Sequence, residues 1–248
     1  MGYLAFMGGL PADGTLVIGN RYRVLERLGE GGTGSVYRAL DCIQQEEVAL
    51  KILHPATGGE GPPAGLLDSE FRVLAELRHP NLVEVHDYGI TPEGLRFFTM
   101  ESFRGLDLKT YVKKLPARRE ELGRDPVFRS IVGQVLAALD FIHTRRVVHE
   151  DLKPSNILVD SLGQTWLTDF GLARRADDPS ATRTRKEGSP LYMSPEQVEA
   201  ASQRVDHRTD IYSLGVPLYE LATGKPIFES RTPAELELKI RTEDPPLP

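Results

Sequence analysis

Residues 29–36, Gly29-Glu30-Gly31-Gly32-Thr33-Gly34-Ser35-Val36, form a G-x-G-x-x-G-x-V cluster set between two runs of β-formers. Glycines let backbone approach a phosphate closely and present N–H groups to it. The same glycine spacing marks dinucleotide-binding folds, but those need a helix directly after the glycines. Here Ser35-Val36-Tyr37-Arg38-Ala39-Leu40 reads as a strand, which counts against a dinucleotide fold and favours a glycine-tipped antiparallel hairpin. Gly-rich hairpin turns are common, so the cluster alone does not name a ligand.

The rest of the chain extends the pattern. Residues 1–19 carry little periodic signal and read as a flexible N-terminal tail, and 54–65 read as a Gly/Pro loop. A second strand-like run covers 46–53, a helix is expected through Leu67, Phe71, Leu74 and Leu77, and a strand pair follows in 82–89 and 95–101. Residues 20–100 thus read as a small β-rich lobe with one helix. Residues 101–106 read as a junction, and 107–248 as a mainly helical lobe. Its helices are expected near 107–115, 127–143, 210–224 and 233–243, with short strands at 147–149, 157–159 and 165–168. An irregular segment covers 169–196. The fold class is α+β and bilobal, and a junction of two lobes makes a cleft, where ligands tend to bind.

Composition narrows the function classes. The 248 residues carry 30 Lys+Arg and 36 Asp+Glu, net −6, and 40% are apolar, as in a soluble chain with a sizeable core. Mild acidity argues against a general nucleic-acid binder. The single cysteine, Cys42, forms no intrachain disulfide and reads as a small buried residue. The longest apolar stretch, Ile131 to Ile142, is interrupted by Gln134 and Asp140, so no membrane span is expected. The N-terminus lacks a basic leader region, and Phe6 stands where a myristoylation motif wants Ser or Thr. A cytoplasmic location is the expectation.

Four further groups carry chemistry. Lys51 closes Val48-Ala49-Leu50-Lys51, and a period of two puts it on one strand face with Ala49, leaving room for a flat base beside a charge for phosphate. Glu70 lies within the apolar stripe of its helix, where a carboxylate needs a partner, and Lys51 is the natural candidate. His149-Glu150-Asp151-Leu152-Lys153-Pro154-Ser155-Asn156 packs a carboxylate, an ammonium and an amide oxygen into irregular backbone before a strand, a set suited to phosphoryl transfer. Asp169-Phe170-Gly171 follows the next strand, which puts Asp169 and Asn156 at neighbouring strand ends, a geometry for hard-oxygen ligation of magnesium. Ser194-Pro195-Glu196 ends the irregular segment.

In this order and spacing the motifs resemble the eukaryotic-type serine/threonine protein kinase family over about Tyr22 to Pro248, and phrases such as Gly188-Ser189-Pro190-Leu191-Tyr192 are reminiscent of its bacterial members. The resemblance implies ATP and Mg2+ as cofactors and Ser/Thr-bearing proteins as substrates. It implies that Gly29, Gly31 and Gly34 cover the ATP phosphates, that Val36, Ala49 and Leu158 enclose the adenine, and that Lys51, paired with Glu70, holds the α- and β-phosphates. It further implies Asp151 as catalytic base, Lys153 as the γ-phosphate contact, and Asn156 and Asp169 as metal ligands. Met100 resembles the gatekeeper, Glu101 to Phe103 the adenine-binding hinge, Asp107 a ribose contact and Asp210 the buried brace of the catalytic loop. An inactive ATP-binding or scaffold module is the rival reading, and a small-molecule phosphotransferase a third.

Three departures from the family pattern stand out. Pro217 interrupts the helix behind Asp210, costing about 3 kcal/mol unless the helix kinks, and a kink there could loosen the brace. The pattern ends before the family's last helices, so the basic partner of Glu196 is not in the sequence and a truncated lobe within a longer protein is expected, with exposed apolar surface. Glu150 stands where the family often has an arginine that pairs with a phosphorylated loop residue, and a carboxylate repels phosphate. The alternative is that Glu150 is a surface residue and that Arg174 or Lys186 does the pairing. Independence from loop phosphorylation is therefore expected: replacing both Thr182 and Thr184 by Ala should leave ATP-dependent phosphorylation largely intact, and near-total loss would refute this.

Overall fold

A computed structural model describes residues 16–31, 34–54, 75–116, 119–169, 174–175, 190–199 and 205–247. The chain divides into two compact units, one comprising Met1–Arg78 and Val83–Arg104, the other His79–Leu82 and Gly105–Pro248.

The first unit is one antiparallel sheet of β1 (Val17–Ile18), β2 (Tyr22–Gly31), β3 (Gly34–Asp41), β4 (Glu46–Leu53), β5 (Val85–Ile90) and β6 (Arg96–Glu101), in the order β1-β2-β3-β4-β6-β5. Alternation along the strands buries Tyr22, Val24, Tyr37, Ala39, Val48, Leu50, Ile52 and Phe97 in one apolar cluster. The sheet begins inside the stretch expected to be tail: β1 pairs with β2, and Val24 N–H donates to Leu16 O at 2.9 Å. Two residues of strand give too short a pattern to stand out in a sequence. Cys42 is exposed rather than buried, because the chain leaves β3 at Asp41 and residues 42–45 form the turn into β4. The expected helix around Leu67–Leu77, with Glu70, lies outside the described residues except for its last positions.

The second unit starts with β7 (Leu106–Asp107) and α1 (Leu108–Val112), followed by α2 (Pro126–Thr144) and β8 (Val147–Val148). A 3-10 turn at Pro154–Asn156 leads into β9 (Ile157–Val159) and β10 (Thr165–Leu167), and β11 (Arg174–Arg175) pairs back onto β8. The helices α3 (Pro195–Glu199), α4 (Arg208–Thr223) and α5 (Pro233–Thr242) follow. Asp125 caps α2 by accepting Phe128 N–H at 2.9 Å, with Pro126 opening the first turn. By length and mean hydropathy, 1.2, α2 could cross a membrane, which the interruptions at Gln134 and Asp140 had argued against. It instead buries Phe128, Ile131, Val135, Ala138, Leu139 and Ile142 as a core stripe. Met193, Val198, Phe228, Leu236 and Ile240 form a second apolar cluster under α3 and α5. Helix α4 continues through the buried Pro217 and ends at Gly224, whose φ of 74° is the left-handed conformation of a helix C-cap.

One corner of the first unit is held by charge. Arg21 forks onto Asp41 through Nε at 2.9 Å and NH2 at 2.6 Å, while its NH1 reaches Asp87 at 2.8 Å. Tyr22 O–H also donates to Asp87, at 3.0 Å. Asp41 further accepts the N–H groups of Ile43 and Gln44, thereby fixing the β3–β4 turn. The Arg21 hydrogen bond outweighs burial and lowers the Asp41 carboxyl from 3.8 to about 2. A carboxyl lowered in the folded state contributes stability above its unfolded value, and that contribution is lost as pH falls from about 4 to about 2. The shift corresponds to about 2 kcal/mol at neutral pH. Asp41→Asn should therefore lower unfolding free energy by about that amount at pH 7, with the gap closing toward pH 2. Urea titrations at both pH values check this, and a gap unchanged by acid would refute it.

Candidate active site

In the first unit, strand pairing aligns residues that sequence periodicity could only assign strand by strand. Gly29 lies opposite Val36, Val36 opposite Lys51, and Lys51 opposite Phe98. The next row holds Ala49 between Arg38 and Met100. Directly opposed residues share a sheet face, so Val36, Lys51, Ala49 and Met100 lie on the face away from Val48, Leu50 and Ile52. Lys51 is not an exposed edge lysine: β4 is interior to the sheet, the residue is only 2% exposed, and its Nζ lies 5.8 Å from the Phe98 ring centre. Met100 is buried, Val36 and Phe103 are half-buried, and Glu101 is exposed.

The three glycines differ physically. A Cβ on Gly34 would sit 2.3 Å from the Ile52 carbonyl oxygen, so the β3–β4 pairing itself requires glycine there. A Cβ on Gly29 or Gly31 would meet nothing within 4 Å. Gly32 and Thr33 lie outside the described residues.

In the second unit, β9 and β10 pair antiparallel with Ile157 opposite Leu167, and Thr168 N–H donates to Asn156 O at 3.0 Å. This brings Asn156, at the start of β9, beside the end of β10, where Asp169 adopts a left-handed φ of 65°. Leu158 lies between Asp107 of β7 and Trp166 of β10. Asp107 has a structural task as well, capping α1 by accepting Thr110 N–H at 3.0 Å.

Asp151 is the centre of a buried polar set. Lys153 Nζ donates to its Oδ2 at 2.6 Å, and Asn156 Nδ2 donates to its backbone oxygen at 2.8 Å and to Oδ2 at 3.4 Å. His149 Nε2 lies 3.0 Å from Thr168 O, and Asp151 N–H points at His149 Nδ1 at 3.3 Å. The Asp151 N–H needs an acceptor at Nδ1, which leaves Nε2 as the ring donor toward Thr168 O.

The fully buried Asp210 supports this loop. Its Oδ2 accepts His149 N–H at 2.9 Å and His143 Nε2–H at 2.7 Å, while Oδ1 accepts Glu150 N–H at 3.0 Å. Pro217 does not loosen the brace, because Asp210 sits in the first turn of α4, ahead of the missing N–H. Glu150 is not a surface residue: it is buried, with φ of 63°. Thr209 Oγ donates a short hydrogen bond to Glu196.

Several supporting residues carried no distinct sequence signal. Gln134 read only as an interruption of an apolar stretch, yet its Oε1 accepts Asn81 Nδ2 and Thr165 N–H, both at 2.9 Å, and its Nε2 donates to Gly163 O. It thereby fixes the β9–β10 hairpin to α2. Gln197 stands one position beyond the Ser194-Pro195-Glu196 motif and donates to Glu150 O at 2.7 Å. A polar residue within an apolar helix stripe was the available clue for Gln134. For Gln197 there was none.

Asn156 and Asp169 fit a magnesium ion by donor chemistry. Both offer hard oxygens, and Asn156, by donating its Nδ2 inward to Asp151, fixes which end of its amide is the acceptor. Magnesium is commonly held by only one or two protein oxygens together with substrate phosphates. Phe170, Gly171, Thr182, Thr184, Lys186 and Ser189 lie outside those residues.

Comparison with known proteins agrees with this arrangement. Residues 22–244 match the family model described as "Protein kinase domain". The serine/threonine-protein kinase pkn3 of Myxococcus xanthus is 38% identical over 240 residues, covering 93% of this chain and 43% of that protein. The probable serine/threonine-protein kinase PknB of Lactococcus lactis is 33% identical, over 93% of this chain and 36% of its own length. For the serine/threonine-protein kinase PrkC of Bacillus subtilis the figures are 34%, 92% and 34%. The chain thus spans between about a third and 43% of the length of these relatives. With one β-sheet unit carrying the glycine hairpin and the buried Lys51, and one largely helical unit carrying the Asp151 loop, the chain belongs to the protein kinase domain family.

Proposed function

We propose that the chain catalyses transfer of the γ-phosphoryl group of ATP to Ser or Thr hydroxyls of protein substrates. The observation that carries this reading is the state of Asp151. Lys153 and Asn156 both bind Oδ2, which leaves Oδ1 as the oxygen for an incoming hydroxyl. A base so placed orients the nucleophile and accepts its proton as the oxygen–phosphorus bond forms and the bond to the ADP oxygen breaks. Lys153 pairs with Asp151 and offers its ammonium to the phosphoryl oxygens, a double task that suits a side chain of which 22% is still exposed.

In the first unit, Lys51 is the fixed cation for the α- and β-phosphates, with Glu70 as its proposed partner. Gly29, Gly31 and Gly34 supply backbone for the phosphates. Val36, Ala49 and Met100 supply apolar surface for adenine. Glu101 and Phe103 are assigned to the hinge contacts, and Asp107 to the ribose. Magnesium bound by Asn156 and Asp169 would neutralise phosphate charge. The names of the relatives support Ser/Thr as acceptors, and nothing among the described residues favours the scaffold alternative. A cytoplasmic location, where ATP is available, is part of the same proposal.

The test uses radiolabelled ATP and a generic basic protein. Asp151→Asn should lower incorporation by a factor between about 10² and 10⁴ while nucleotide binding persists. Lys51→Met should weaken ATP binding and transfer together. Incorporation equal to that of the unmodified chain in Asp151→Asn would overturn the assignment.

A further inference from the structure

We infer that Gln197 is a positioning residue that, together with Asp210, holds Glu150 in a strained conformation and so sets the peptide leading into Asp151. The inference rests on the proposed phosphoryl transfer only for its consequence, since the clamp itself is geometric. Glu150 has φ of 63°, a left-handed conformation that is strained for a residue other than glycine. Such a residue keeps this backbone only when its surroundings impose it. Both of its peptide groups are held. Its N–H donates to Asp210 Oδ1 at 3.0 Å, and its C=O accepts Gln197 Nε2–H at 2.7 Å. That carbonyl belongs to the Glu150–Asp151 peptide, so its direction fixes the Asp151 N–H, which points at His149 Nδ1.

Gln197 is suited to this role. It is 1% exposed, and its Oε1 accepts Ser194 N–H at 3.0 Å, with the Ser194 hydroxyl at 3.5 Å. Donating through one end of the amide and accepting through the other, it joins residues 194–197 to the loop that carries Asp151. Asp210 reaches the same loop from α4. The two side chains thus come from different helices, α3 and α4, and grip opposite sides of one residue. Ser194 Oγ also lies 3.2 Å from Thr209 Oγ, the neighbour of Asp210, so the two grips are connected through buried hydroxyls.

A residue that merely fills space would tolerate an isosteric apolar replacement, and one that only tied down 194–197 would not depend on the identity of residue 150. The clamp predicts otherwise. Gln197→Leu should lower kcat about tenfold or more with little change in the KM for ATP. Gln197→Glu, which keeps an acceptor for Ser194 N–H but offers no donor to Glu150 O, should behave like Gln197→Leu. Glycine adopts positive φ at little cost, so adding Glu150→Gly to Gln197→Leu should restore much of the loss, measured against Glu150→Gly alone. A separate readout requires no activity: amide hydrogen exchange of a peptide covering 149–151 should accelerate in Gln197→Leu and slow again in the double variant. Unchanged kcat and exchange in Gln197→Leu would overturn the inference, as would an equal loss of kcat in Gln197→Leu with and without Gly at 150. If the unmodified chain shows no transfer at all, the kinase reading fails, and the exchange measurement still decides the clamp.

Discussion

The carboxylate of Asp210 is the fixed point of the second unit. It is wholly buried, and a buried charge is tolerable only when its lone pairs are filled by donors. Three donors fill them, two backbone N–H groups from His149 and Glu150 and the ring of His143. The first turn of α4 is an appropriate place for it, since the N-terminal end of a helix favours negative charge. Everything that makes Asp151 a candidate base follows in the next few residues: the His149 contacts, the left-handed turn at Glu150, the Lys153 pair and the Asn156 bridge. Removing the carboxylate would strand two backbone donors in the interior as well as release the loop. Its effect would therefore exceed that of a single lost hydrogen bond.

The first unit solves a different problem. A sheet that must present a lysine on one face and an apolar core on the other needs a strand paired on both sides, so that only side chains, not backbone groups, face the two environments. Strand β4 meets that need. Val48, Leu50 and Ile52 supply the core face, while Ala49 and Lys51 occupy the other, and the neighbours in β3 and β6 bring Val36 and Met100 alongside. The Arg21–Asp41–Asp87 cluster ties the β2–β3–β4 side of the sheet to β5 at the far edge.

Much of this could be read from sequence, for identifiable reasons. Period-two alternation in 46–53 gave the correct faces for Lys51 and Ala49, and the apolar stripe in 127–143 gave α2. The spacing between Asn156 and Asp169 implied neighbouring strand ends, and the β9–β10 register brings those ends together. What escaped was mostly short or tertiary. Two-residue strands such as β1 and β7 have no period to detect. Cys42 was misplaced because a residue-type preference for burial cannot see that the chain turns at Asp41. Gln134, Gln197 and His143 act through hydrogen bonds to residues distant in the chain, which no local pattern encodes. Glu150 was judged by its side chain, as a replacement for arginine, whereas its backbone angle and burial are what the surrounding structure is organised to hold.

The glycine hairpin shows how structure divides a motif that sequence treats as uniform. Gly34 is required by the chain itself, because any side chain there would press against the Ile52 carbonyl and separate β3 from β4. Nothing in the described chain forbids a side chain at Gly29 or Gly31. Smallness at those two positions therefore cannot be assigned to packing within the sheet. In a strand glycine is a liability, since it loses more backbone entropy on folding than other residues and contributes no cross-strand side-chain contact. Two such residues in β2, directly paired across from Val36 and Gly34, weaken the strand with no compensating contact among the described residues. Close approach of a ligand is what such smallness permits. A triphosphate bound by backbone N–H groups is the ligand chemistry that would use that freedom.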